Sequence, residues 1–80
     1  MRFTVVLQWD PETEVFGVTV PVLPGCFTAG ATVPEAMERA REAIEGHVAT
    51  LVDLGEDVPA EQEPVIVTSV EARVPASVGA

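Results

Sequence analysis

Two side chains in this sequence have the chemistry of a nucleophile and a base, Cys26 and His47. Cys26 follows a Pro-Gly pair, where a reactive thiol can be exposed, but an unpaired cysteine behaves most often as a small buried apolar residue. His47 lies one position from the apolar stripe of a predicted helix, where we expect an imidazole at the core edge or near the helix end. Because a third group that would orient such a pair is not evident, we favour a structural role for both residues.

A group of acidic residues is the other candidate for chemistry. Glu38, Glu42 and Glu45 fall on neighbouring turns of the predicted helix and, together with Asp53 or Asp57, have the oxygen ligands that a divalent cation prefers. Such a site needs carboxylates that converge from several elements, so we expect a solvated helix face instead. The sequence also lacks a glycine-rich phosphate loop, a paired CxxC motif and a serine nucleophile motif, and we predict neither a cofactor nor an enzyme.

Length and charge limit the classes of function further. The 80 residues suffice for one core, and we predict a single domain at residues 1–73 with a flexible tail at 74–80. The formal net charge of −9 opposes direct binding to nucleic acid. A membrane span needs a far longer apolar run, and the lone cysteine and the absence of an export signal predict a cytoplasmic protein. Since so small a core barely offsets the entropy of ordering, we also expect a homo-oligomer, either dimer or tetramer.

Strand patterns come first along the chain. Residues 3–9 and 15–20 are rich in β-branched and aromatic side chains and flank a turn that contains Pro11, so they predict a β-hairpin. A turn with two prolines then interrupts the sheet, and Gly25 within it can adopt a positive φ. A short third strand is expected at residues 26–28.

A helix should follow, because Thr32 and Glu35 form a capping-box pattern and Pro34 lies in the first turn. Gly55 is the expected residue just beyond its end. Residues 65–72 read as a last strand, so the predicted fold is a two-layer α+β arrangement of order β-β-β-α-β, with one helix on a mostly antiparallel sheet. The positions predicted to face the sheet are Met37, Ala40, Ile44, Val48 and Leu51.

One set of motifs is informative beyond periodicity. It comprises a Pro-x-Leu-Pro-Gly-Cys turn, a Gly-x-Thr helix start, an alanine-rich helix and a Gly-Glu-x-x-Pro exit, all within about residues 3 to 59. In these features the chain resembles the HicB antitoxin family. The residues that carry the resemblance are Pro21, Leu23, Pro24, Gly25, Cys26, Gly30, Thr32, Ala36, Ala40, Gly55, Glu56 and Pro59.

The resemblance implies a partial ribonuclease-H-like fold whose last strand returns beside the first. It also implies a role in binding and blocking HicA, a small basic toxin that cuts RNA, and an acidic chain suits such a partner. Ribonuclease-H catalysis would need metal-binding acids in the first strand, where Val5, Val6 and Leu7 stand instead. The DNA-binding domain that many relatives append is not expected here, and the acids that the family often has at Val22 and Ala31 are missing.

Three hypotheses follow. The first is a HicB-like antitoxin that contacts its toxin through Glu38, Glu42 and Glu45. In this hypothesis Leu23, Pro24 and Gly25 form a structural turn that sets shape rather than contact energy. The second hypothesis is an orphan domain that binds a small ligand or another regulator through its open sheet face, with no toxin involved. The third, a metal-dependent nuclease, has the least support from the residues.

Overall fold

The computed structural model describes residues 1–60 and 63–76. Within these residues the strands form an antiparallel sheet in the order β1-β2-β3. The helix packs on one face of this sheet, mainly over β3 and less over β2, and leaves the other face open. The arrangement confirms the predicted α+β class. The elements are β1 (Val6–Asp10), β2 (Val15–Thr19), β3 (Phe27–Gly30) and α1 (Val33–Asp53).

The β1–β2 hairpin is closed by the side chain of Asp10. One carboxylate oxygen accepts a hydrogen bond from the backbone N–H of Glu12 at 2.9 Å, and the other accepts from the Thr13 hydroxyl at 2.9 Å. Beside this turn, Trp9 and Phe16 face each other across the two strands with their ring centroids 4.9 Å apart. The hairpin therefore forms as predicted, although pairing begins at residue 6 rather than at residue 3.

The proline-containing segment between β2 and β3 folds into two consecutive turns around Leu23. The backbone N–H of Leu23 donates to the carbonyl oxygen of Val20 at 3.0 Å, and the carbonyl oxygen of Leu23 accepts from the backbone N–H of Cys26 at 3.0 Å. Gly25 has a φ of +83°, the positive value that its place in the sequence suggests. The Leu23 side chain is only 1% exposed, so this turn is part of the core as well as a connection.

Both ends of α1 are capped by local sequence. The Thr32 hydroxyl accepts a hydrogen bond from the backbone N–H of Glu35 at 3.2 Å. At the other end, Gly55 has a φ of +70° and the N–H of Glu56 donates to the Leu51 carbonyl at 2.9 Å, as in a Schellman motif. The predicted start and stop of the helix are both confirmed.

The helix face that meets the sheet is made of small side chains. Ala36 and Ala40 are buried against Val18 of β2, which brings the helix backbone close to the sheet. The prediction that Met37 belongs to the buried stripe is wrong, because its side chain is 49% exposed. The helix is rotated so that Ala36 and Ala40 make the central contacts with the sheet. Four-residue spacing alone does not indicate that an alanine rather than a methionine will face the sheet.

The predicted last strand does not form within this chain. Residues 63–76 are exposed along their whole length and adopt no strand. A strand needs an edge to pair with, and a β-favouring composition cannot specify where that edge is. Of the predicted tail, residues 74–76 are exposed, whereas 77–80 lie outside the described residues, as do residues 61–62 of the preceding connection.

Candidate partner-binding surfaces

Glu38, Glu42 and Glu45 lie along one side of α1, and we call them the acidic stripe. Their spacings of four and three residues match the helical repeat, so the three carboxylates project in similar directions. All three residues are exposed. The structure thus brings together the three acids that the sequence singled out, on a face that a partner can reach.

The charge of the acidic stripe is unevenly distributed. Arg41 donates a hydrogen bond to Glu38 at 2.7 Å, so the charge of Glu38 is partly compensated. Glu42 and Glu45 make no ion pair with any residue that the structure describes. The uncompensated part of the stripe therefore lies at Glu42 and Glu45.

The C-terminal end of α1 adds to this negative potential. The helix dipole places partial negative charge there, and a basic residue in the last turn would offset it. The last turn of α1 contains no basic residue and ends with Asp53, and Glu56 and Asp57 follow it. Among the residues described, however, no three His, Cys, Asp or Glu side chains converge in a way that could hold a metal ion. The acids in this part of the chain therefore form a negatively charged surface.

An apolar groove borders the acidic stripe. It has a volume of about 480 Å³ and lies between the chain leading into β1 and the helix, and we call it the β1–α1 groove. Glu38 and Glu45 lie on its rim, so apolar and acidic groups are adjacent on one side of the molecule. Sequence reasoning missed this groove, in part because Met37, which the pattern assigned to the core, is exposed on its wall. Its apolar lining includes Met1, Phe3, Val5, Pro34, Met37 and Ile44.

The open face of the sheet has a second depression, with a volume of about 520 Å³. Gly17 leaves space at its floor, and Phe27 at its side is 73% exposed. Phe27 was not singled out from the sequence. The alternation of side chains along β3 places Phe27 on the face of the sheet opposite that of Thr28 and away from the helix. Such a surface can receive a flat apolar group or a protein side chain.

Cys26 and His47 line a third, shallow depression between β3 and α1. Cys26 is 6% exposed, and burial raises the pKa of its thiol. A catalytic cysteine needs the opposite shift, because the thiolate is the nucleophile. The two residues are therefore brought near one another without the electrostatic environment that nucleophilic catalysis requires.

These features define a small α+β domain whose candidate sites are open acidic and apolar surfaces. The comparisons with known proteins agree with that class and make it specific. The sequence model of a family described as the HicB-like antitoxin of bacterial toxin–antitoxin systems matches residues 3–73. The chain belongs to the HicB-like antitoxin family.

Related proteins support the same assignment. The crystal structure of the N-terminal domain of the antitoxin HicB from Burkholderia pseudomallei is 44% identical in sequence, superposes with a TM-score of 0.68, and is matched over 74% of its length and 80% of this chain. A UPF0150 protein of Thermoplasma acidophilum is 41% identical over 59 residues, which are 74% of this chain and 84% of that protein. The fold and the family are thus supported by sequence and by structure.

One relative is longer than this chain. An uncharacterized 14.9 kDa protein of Haemophilus phage HP1 is 48% identical over 50 residues, which are 62% of this chain and 38% of the phage protein. The chain thus spans well under half of that relative.

Within the described residues, α1 does not combine the length and the apolar character that a membrane-spanning helix needs.

Proposed function

We propose that this protein is a non-catalytic cytoplasmic antitoxin that binds and neutralises a small, basic, RNA-cleaving toxin of the HicA type. The observation that carries the proposal is the family match over residues 3–73. The 44% identity to an antitoxin HicB domain of the same fold supports it. In this proposal the toxin supplies the catalytic residue, and the antitoxin contacts the toxin rather than nucleic acid.

The acidic stripe is the surface that we assign to the toxin. The chain carries a net charge of −9, which attracts a basic partner and raises the rate of encounter. Glu42 and Glu45 should contribute more than Glu38, because Arg41 already compensates the charge of Glu38. The turn at Leu23, Pro24 and Gly25 serves the interaction indirectly by fixing the sheet under the helix.

The direct test is co-expression with a small basic protein that a neighbouring gene encodes, where there is one. We expect the two proteins to co-purify, and we expect the basic protein to cut RNA only when it is separated from the antitoxin. A neighbouring protein that cuts RNA equally well in the presence of excess antitoxin would contradict the proposal. RNA cleavage by the antitoxin alone with added Mg²⁺ or Mn²⁺, abolished by EDTA, would instead support a metal-dependent nuclease.

A second candidate function rests on the open face of the sheet. The depression beside Gly17 and the exposed Phe27 form a surface for a small ligand or another regulatory protein, with no toxin involved. Substituting Phe27→Ser would abolish such binding while leaving the acidic stripe intact. Toxin neutralisation that is unchanged in the Phe27→Ser protein separates this function from the first.

A further inference from the structure

Residues 63–76 form an exposed segment that we call the arm. The radius of gyration of the chain is 16.1 Å and its longest dimension is 53 Å. A packed chain of this length has a radius of gyration of about 12 Å. The apolar side chains of the arm are between 47% and 88% exposed, so most of their surface is in water. These side chains are Val65, Ile66, Val67, Val70 and Val74.

The arm has the composition of a strand although it is unpaired. β-Branched residues, which pack well on a pleated surface, occupy five of the six positions from Val65 to Val70. Its three charged residues, Glu63, Glu71 and Arg73, give a net charge of −1, so the arm has little of the negative charge of this strongly acidic chain. An apolar segment of low net charge is suited to pairing with the edge of a sheet.

The sheet has a suitable edge at β1. In the described residues β1 pairs with β2 on one side only. The β1–α1 groove adjoins this edge, and Met1 and Met37 on its walls are 80% and 49% exposed. At the other edge, α1 packs directly over β3, and the depression there includes Glu42 and His47. The β1 edge is therefore the better match for an apolar strand.

We propose that the arm of one copy pairs with β1 of a second copy and places its apolar side chains in the β1–α1 groove of that copy. None of the described arm residues lines the groove of its own chain, so that groove is available to another arm. Because each copy has one arm and one groove, reciprocal exchange gives a closed two-fold dimer in which the β1 edge of each copy is paired. Because the net charge of the arm is only −1, from Glu63, Glu71 and Arg73, it approaches a second chain of charge −9 with little repulsion. This dimer does not depend on a toxin.

The test uses two variants that each disable one partner surface. Val67→Pro removes a backbone donor and blocks strand pairing by the arm. Met37→Arg places a charge in the groove, and Val52→Arg, at an exposed apolar position of α1 outside the groove, is the matched control. Light scattering should give a dimer for the wild-type and Val52→Arg proteins and half that mass for the other two. Circular dichroism of each variant verifies that the domain is folded.

Mixing the two monomeric variants provides the decisive result. The arm of the Met37→Arg protein is intact, and so is the groove of the Val67→Pro protein. One arm–groove contact can therefore form between them, and a 1:1 dimer should reappear in the mixture. A wild-type monomer, a Val67→Pro protein that remains dimeric, or a mixture that remains monomeric would each overturn the proposal. A wild-type monomer that loses stability in the Val67→Pro variant would show that the arm closes on its own chain.

Discussion

A Cβ atom added to Gly30 would lie 2.5 Å from the backbone nitrogen of Ala36 and 2.7 Å from its Cα. The last residue of β3 therefore lies directly beneath the first turn of α1, at a distance that only glycine permits. Because Ala36 and Ala40 are also buried, small residues on both sides hold the helix close to the sheet. This contact fixes the rotation of the helix, and with it the outward direction of the acidic stripe.

Substituting Gly30→Ala should lower the free energy of unfolding by about 1–3 kcal/mol, the usual cost of overpacking a tight core. Urea denaturation monitored by circular dichroism measures the change. Gly46→Ala is the matched control, because, apart from its chain neighbours and the backbone of its own helix, no described atom lies within 4 Å of a Cβ at that position. The control should be stabilised by about 0.5–1 kcal/mol, since alanine favours the helix interior. Equal effects of the two substitutions would show that the Gly30 contact is absent.

Gly25→Val should also destabilise the protein, because the φ of +83° is strained for a β-branched side chain. The expected loss is about 1–2 kcal/mol. Gly25→Asn, which tolerates the left-handed region better, should lose less, and the difference between the two variants isolates backbone strain. Apart from its chain neighbours, no described atom lies within 4 Å of a Cβ at Gly25, so a steric clash does not explain the loss. Equal losses in the two variants would contradict backbone strain as the cause.

The hairpin turn predicts a pH effect on stability. Hydrogen bonds from the Glu12 backbone and the Thr13 hydroxyl lower the pKa of Asp10 below its ordinary value of 3.8. A carboxylate with a lowered folded-state pKa stabilises the native state above its unfolded pKa, and this contribution is lost as the pH falls through the folded pKa. An NMR titration of the Asp10 carboxyl should show the low pKa, and Thr13→Val should move it upward. An Asp10 titration that Thr13→Val leaves unchanged would contradict the geometry of the turn.

The buried thiol of Cys26 should resist labelling. Its 6% exposure and raised pKa both reduce the amount of accessible thiolate. In native buffer a thiol reagent should therefore react only as fast as the protein opens, and in denaturant it should react at once. Phe27→Cys in a Cys26→Ala background is the control, because that position is 73% exposed and should react rapidly. Fast native labelling of Cys26 would revive a catalytic role for it.

The local signals in the sequence were sufficient to predict the helix and the hairpin. The capping pattern of Thr32 and Glu35 and the glycine at Gly55 act within one turn of the helix ends, and the structure has hydrogen bonds at both. The three acids of the stripe were predictable for the same reason, since their common side follows from helical spacing alone. Whether they bind a partner depends on a second molecule and remains a prediction.

Features that depend on distant contacts were not predictable. The pattern placed Met37 in the core because it could not detect that Gly30 and Ala36 meet and thereby set the helix rotation. It predicted a strand at residues 65–72 from composition, but composition does not specify which edge a strand pairs with, and among the described residues this segment pairs with none. The β1–α1 groove was missed because it is a space between two elements rather than a property of one.

The proposed function assigns Glu42 and Glu45 a direct part in neutralising a basic toxin. The measurement is a titration of the toxin's RNA cleavage with three antitoxins: wild type, Glu42→Lys with Glu45→Lys, and Glu12→Lys with Glu14→Lys. The last variant makes the same change in net charge at the hairpin turn, away from the acidic stripe. We predict complete inhibition by the wild-type and turn variants near one antitoxin per toxin, and a requirement for roughly tenfold more of the stripe variant, with a weaker salt dependence. Equal inhibition by all three proteins would contradict the role of the stripe, and no inhibition by any of them would contradict the antitoxin function.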